Sequence, residues 1–207
     1  MKVVIAFGMD CKSSDPWVPD EVKQWQQHSA NREFDVRFYF PPVHQGERQW
    51  HPYTPKWDEH WKDTHRALDY SWHIETTAAE LWNDLDEMEA VGEDFVIVAY
   101  SNAGAVGFEI AKHFAKCVAV LWVASVPVLS QQRRSSEITC PKAFLHGTLD
   151  EAYFGGHATV LNVAKEMDAE WFEYEGGHSN VPVCSVINAV QNLLSDRRIV
   201  KRRRCCL

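Results

Sequence analysis

Phe95-Val96-Ile97-Val98-Ala99-Tyr100-Ser101-Asn102-Ala103-Gly104 runs on into Ala105-Val106-Gly107-Phe108-Glu109-Ile110-Ala111-Lys112-His113-Phe114. The first part is a short, β-branched apolar run behind Glu93-Asp94, as expected of a central strand buried on both faces. Within two residues the period changes, because Phe108, Ala111 and Phe114 recur at three-residue spacing as on a helix. Ser101 therefore stands on a sharp strand-to-helix turn. Such a turn strains the serine backbone and crowds the positions two residues away on either side, where Ala99 and Ala103 are small. It also lifts the serine oxygen above the carboxyl edge of the sheet, next to the first free amides of the helix.

On either side, apolar strands alternate with helical patterns. Val3 to Phe7 reads as a buried strand ended by Gly8-Met9-Asp10, followed by a weak helical pattern from Pro19 to Gln27. Phe34 to Phe40 reads as a strand stopped by Pro41-Pro42. A helix is expected from Thr76 to Ala90, with Ala79, Leu81, Trp82, Leu85 and Met88 on its inner side and Thr76 or Thr77 as its cap. After the Ser101 helix come strands at Val118 to Ala124, Lys142 to His146 and Ala169 to Tyr174. Helices are expected at His157 to Met167 and Val183 to Leu194, and Ser125 to Cys140 reads as a polar connector. This alternation predicts an α/β three-layer sandwich whose mostly parallel sheet has about six strands. Ligands of such sheets bind outside the carboxyl ends of the strands, where strand order reverses.

A serine hydroxyl becomes a useful nucleophile only when a base takes its proton and an acid holds that base. Later strand ends supply both kinds of residue. Asp150, 49 residues after Ser101, closes His146-Gly147-Thr148-Leu149-Asp150, and His178 follows Gly176-Gly177 after a further 28. His157 also follows two glycines but opens a helix, and His146 ends a strand, so both read as structural.

These three segments, in this order, resemble the α/β-hydrolase family, and the resemblance spans Val3 to about Leu194. Ala99-x-Ser101-x-Ala103 is similar to the family's nucleophile elbow, G-x-S-x-G, with alanine at both glycines. His146 to Asp150 resembles its H-G-x-x-D segment, and His178 stands where the family keeps its histidine. The resemblance implies a catalytic triad of Ser101, Asp150 and His178. It also implies an oxyanion hole made by the backbone N–H groups of Met9 and Asn102, although Phe7 replaces the histidine usual before Gly8. The expected activity is that of a compact carboxylesterase or acyl-thioesterase without a large cap, needing no metal or organic cofactor. The expected partner is a small-molecule ester or thioester. Two rival readings stay open: a ligand-binding or regulatory protein on this fold, and a triad-dependent lyase or acyltransferase.

The chain has 207 residues, enough for one domain with a large core, here placed at 1–196. A formal charge of -8 argues against a nucleic-acid partner, which needs a basic surface. The six cysteines form no Cys-x-x-Cys pair or disulfide framework, and the first apolar run is too short for a signal peptide. A cytoplasmic protein is expected. From Pro41 to Glu75, Trp50, Trp57, Trp61 and Trp72 alternate with His44, His51, His60, His65 and His73. None shows metal-ligand spacing, so this segment reads as a wall over the sheet edge. Residues 197–207 form a basic tail, in which Lys201 to Leu207 carries Cys205 and Cys206. Acylation there would add peripheral membrane contact.

Overall fold

The computed structural model describes residues 1–8, 12–16, 18–29, 34–44, 47–48, 50, 79–151, 156–179 and 181–204. Most of the Trp- and His-rich segment lies outside them, as do Thr76, Thr77, Met9, Cys205 and Cys206. In chain order the elements are β1 (Lys2–Ala6), α1 (Val18–Ser29), β2 (Asp35–Tyr39), β3 (Val43–His44), β4 (Glu47–Arg48), α2 (Ala79–Ala90) and β5 (Phe95–Tyr100). A 3₁₀ turn (Ser101–Ala103) leads into α3 (Gly104–His113) and β6 (Cys117–Val123), followed by α4 (Leu129–Gln132) and a second 3₁₀ turn (Ser135–Glu137). The chain ends with β7 (Lys142–Gly147), α5 (His157–Glu166), β8 (Glu170–Tyr174) and α6 (Val183–Arg204).

Six strands form one sheet in the order β2-β1-β5-β6-β7-β8, and every pairing in it is parallel. The expected sheet is therefore present, and β3 with β4 adds a small antiparallel ribbon. Strand order reverses at β1: its neighbours are β2 and β5, with Ala6 level with Ala99.

The pleat sends alternate side chains of each strand into two apolar clusters, one per face. Val4, Ala6, Ile97 and Ala99 pack with α2, α3 and α5 through Leu81, Leu85, Phe108, Ile110 and Val160. Val3, Ile5, Val96 and Val98 pack with α1 and α6 through Trp25, Val186, Ile187 and Val190. The central strands are buried on both sides, whereas the edge strands β2 and β8 are half exposed. That difference explains why only the central strands read as unbroken apolar runs.

Helix α3 lies unusually close to β5. A Cβ added to Gly107 would stand 2.7 Å from the Ala99 Cβ, and the Trp122 indole N–H donates to the Gly104 carbonyl at 3.0 Å. Gly107 thus supplies clearance that a glycine at position 99 would otherwise give.

The structure differs from the sequence reading in three elements. The connector after β6 carries α4 and a 3₁₀ turn, and its polar residues are partly buried. Gln131 is 1% exposed, and its amide donates to the Ala105 carbonyl and Glu109 Oε1. Helix α6 runs on to Arg204 rather than ending near Leu194. Ala79 is exposed, while Leu81, Trp82, Leu85 and Met88 form the inner face of α2.

Candidate active site

Five loops meet at the carboxyl edge of the sheet, following β1, β5, β6, β7 and β8. The loop after β5 holds Ser101 at φ 47°, a left-handed conformation rare for a residue with a side chain. Gly8, directly after Phe7, faces it: a Cβ there would sit 2.8 Å from the Ser101 Cβ and 3.4 Å from its Oγ. The loop ending β1 and the serine therefore confront each other across the strand-order reversal, as the sequence reading requires.

The loops after β7 and β8 are tied together by their backbones. Thr148 N–H donates to the Tyr174 carbonyl and Leu149 N–H to the Gly176 carbonyl, both at 3.0 Å. The Tyr174 hydroxyl donates to the Gly177 carbonyl at 2.9 Å, fixing the residue before His178. This framework delivers Asp150 and His178 to one place. His178 Nδ1 lies 3.0 Å from Asp150 Oδ2, and His178 Nε2 lies 3.0 Å from Ser101 Oγ. The Asp150 side chain is fully buried, and that of His178 keeps 18% exposure. The imidazole can therefore pass protons at a surface-accessible serine while its acid stays out of water. Both neighbours sit at hydrogen-bond distance on opposite ring nitrogens, so one tautomer serves both: Nδ1 donates to the carboxylate and Nε2 accepts from the hydroxyl.

Beneath the acid lies His146, 1% exposed, with Nε2 3.8 Å from Asp150 Oδ2 and no hydrogen-bond partner for either ring nitrogen among the described residues. Its ring stands 6.0 Å, centroid to centroid, from both His157 and Trp171. Burial pushes its pKa below the ordinary histidine value, and the Asp150 charge only partly offsets this. His157 makes a 2.9 Å contact with Glu173 Oε1.

Asn102 is buried, and its Oδ1 accepts the Trp50 backbone N–H at 3.1 Å. The Trp50 indole N–H donates to the Phe7 carbonyl. One tryptophan of the aromatic-rich segment thus spans the loop after β1 and the turn after β5. The structure brings together Ser101, Asp150, His178 and Asn102, whereas Met9 is outside the described residues.

No protein-family model and no curated protein matches this sequence. Solved structures do match in backbone. Esterase PE8 superposes with TM-score 0.67 at 15% identity, over 93% of this chain and 92% of that one. Acyl-protein thioesterase 2 of Zea mays gives 0.60 at 14% identity, over 93% of each chain. The chain has the α/β-hydrolase fold. Est1E of Butyrivibrio proteoclasticus, solved with ferulic acid, shares this α/β-hydrolase fold at TM-score 0.59 and 11% identity, over 94% of this chain and 88% of that one.

Sequence reading missed Ser125, Trp50 and Tyr174. For Ser125 a signal existed: it is a polar residue two positions beyond the carboxyl end of β6, the strand beside β5. Trp50 could not be singled out, because four tryptophans of its segment share the same spacing pattern with histidines.

Proposed function

We propose that this protein is a serine hydrolase that cleaves a small carboxylic ester or thioester through an acyl-serine intermediate. The observation that carries this reading is His178, whose two ring nitrogens stand 3.0 Å from Ser101 Oγ and 3.0 Å from the buried Asp150 carboxylate. Solved structures of the same fold that bear the names esterase and acyl-protein thioesterase support the substrate class.

In the first step Ser101 Oγ attacks the acyl carbon while its proton passes to His178 Nε2. The imidazolium is stabilised by Asp150. The carbonyl oxygen becomes an oxyanion, bound by the backbone N–H of Asn102, with the backbone N–H of Met9 as the second donor that the family resemblance implies. Losing one such donor typically costs about 3 kcal/mol of transition-state stabilisation. Collapse expels the alcohol or thiol, which takes the proton from His178. Water, deprotonated by the same histidine, then attacks the acyl-serine, and Ser101 recovers its proton. The scheme calls for no metal or organic cofactor.

The test is labelling of the purified chain by a fluorophosphonate probe, beside Ser101→Ala. Labelling that disappears in the variant is the expected result. A folded wild-type protein that stays unlabelled would overturn the reading and leave a binding role on this fold.

A further inference from the structure

In acyl transfer on such a turn, the donor that matters is the N–H of the peptide joining Ser101 to Asn102. We infer that Ser125 is the positioning residue that holds this peptide in its productive orientation, an inference that rests on the function proposed above. Ser125 is 1% exposed, and its hydroxyl donates to the Ser101 carbonyl oxygen. The Gly104 N–H donates to the same oxygen. A carbonyl has two lone pairs, and both are then taken. In a trans peptide the C=O and N–H point in opposite directions, so fixing the oxygen fixes where the Asn102 N–H points. Turning the peptide over would strand the buried Ser125 hydroxyl without an acceptor. A donor whose own carbonyl already accepts hydrogen bonds is also more polarised.

The backbone is arranged to bring Ser125 there. Ala124, the first residue beyond β6, has φ 44°, although nothing in an alanine side chain favours that region. Such strain persists only where the surroundings over-determine it. Here the Ala124 N–H is held by the Leu145 carbonyl at 2.9 Å, and the bend at Ala124 turns the next residue onto the elbow. Contact is so close that a Cβ on Gly104 would lie 2.2 Å from the Val126 carbonyl oxygen and 2.5 Å from Ser125 Oγ. Glycine at 104 is a condition of the approach. From the other side Asn102 is held through Oδ1 by the Trp50 N–H at 3.1 Å, so the residue that follows the nucleophile is fixed at both ends.

The experiment is steady-state hydrolysis of p-nitrophenyl butyrate by the full chain, with thermal melting of every variant. Ser125→Ala should lower kcat about tenfold, because a misaimed donor loses part of what a deleted one does, and should leave KM within about twofold. The pH profile of kcat/KM should keep its position, since the contacts of His178 are untouched. Val190→Ala, on the far face of the sheet, should lower the melting temperature and leave kcat within about twofold, separating positioning from stability. Should Ser125→Ala fail to fold, Ser125→Cys fills the site with a slightly larger group that is a poor donor and should show the same kcat loss. A kcat within about threefold of wild type, a loss carried by KM, or an equal loss in Val190→Ala overturns the inference while the hydrolase reading stands. A wild-type chain that neither labels nor hydrolyses overturns both.

Discussion

Ser101 is held at φ 47°, a backbone state that costs a residue with a side chain on the order of 1–3 kcal/mol. Its exchangeable proton faces His178, and His178 faces a carboxylate with no exposure at all. Desolvation makes the charge of that carboxylate count for more at the imidazole than it would in water. An amide in its place would present either a donor or a weaker acceptor to Nδ1, and the imidazole could settle in the wrong tautomer. Asp150→Asn should therefore lower kcat by about 10⁴-fold with unchanged far-UV circular dichroism. A kcat within tenfold of wild type would show that another acid serves His178. These three residues were legible because each closes a strand pattern and their order suits the chemistry. Ser125 is harder to single out, because an isolated serine in a polar connector has no period to betray it and only its place just past the end of β6 marks it.

Among the elements, the contact of α3 with β5 decides how the turn sits. Gly107 has only 2.7 Å between its would-be Cβ and that of Ala99. Gly107→Ala should therefore cost about 1–3 kcal/mol in urea unfolding, as overpacking does. The double variant Ala99→Gly with Gly107→Ala moves the missing methyl from one element to the other and should recover at least half of that loss. Simple additivity of the two changes would show that they do not share the contact. The strands and helices themselves were largely readable from period and burial. The connector after β6 reads as polar from sequence, whereas in the fold Gln131 is buried because its amide satisfies the Ala105 carbonyl and Glu109. A buried polar side chain looks like a surface one until its partners are known.

On the scale of the whole molecule, the buried His146, whose ring nitrogens have no hydrogen-bond partner among the described residues, links stability to pH. Burial lowers its pKa in the folded chain below the ordinary value of 6.5. The unfolded chain then binds the proton more readily, so stability is fully present above that value and is lost as pH falls through the folded pKa. His146→Gln should flatten the acid side of a plot of melting temperature against pH. An unchanged acid slope would assign the loss to other groups. The two apolar clusters that cover the sheet are continuous with the same strands that deliver the site loops, so the fold and the site share one framework. The sequence by itself determined the α/β class, the parallel sheet and the candidates Ser101, Asp150 and His178, because apolar period and residue order are local properties of a chain. Tertiary structure alone decided the 3.0 Å contacts of His178, the grip of the Ser125 hydroxyl on the Ser101 carbonyl, and the bridge from Trp50. Each joins residues from different elements, and side-chain direction across such a gap is set by packing, which no local pattern encodes.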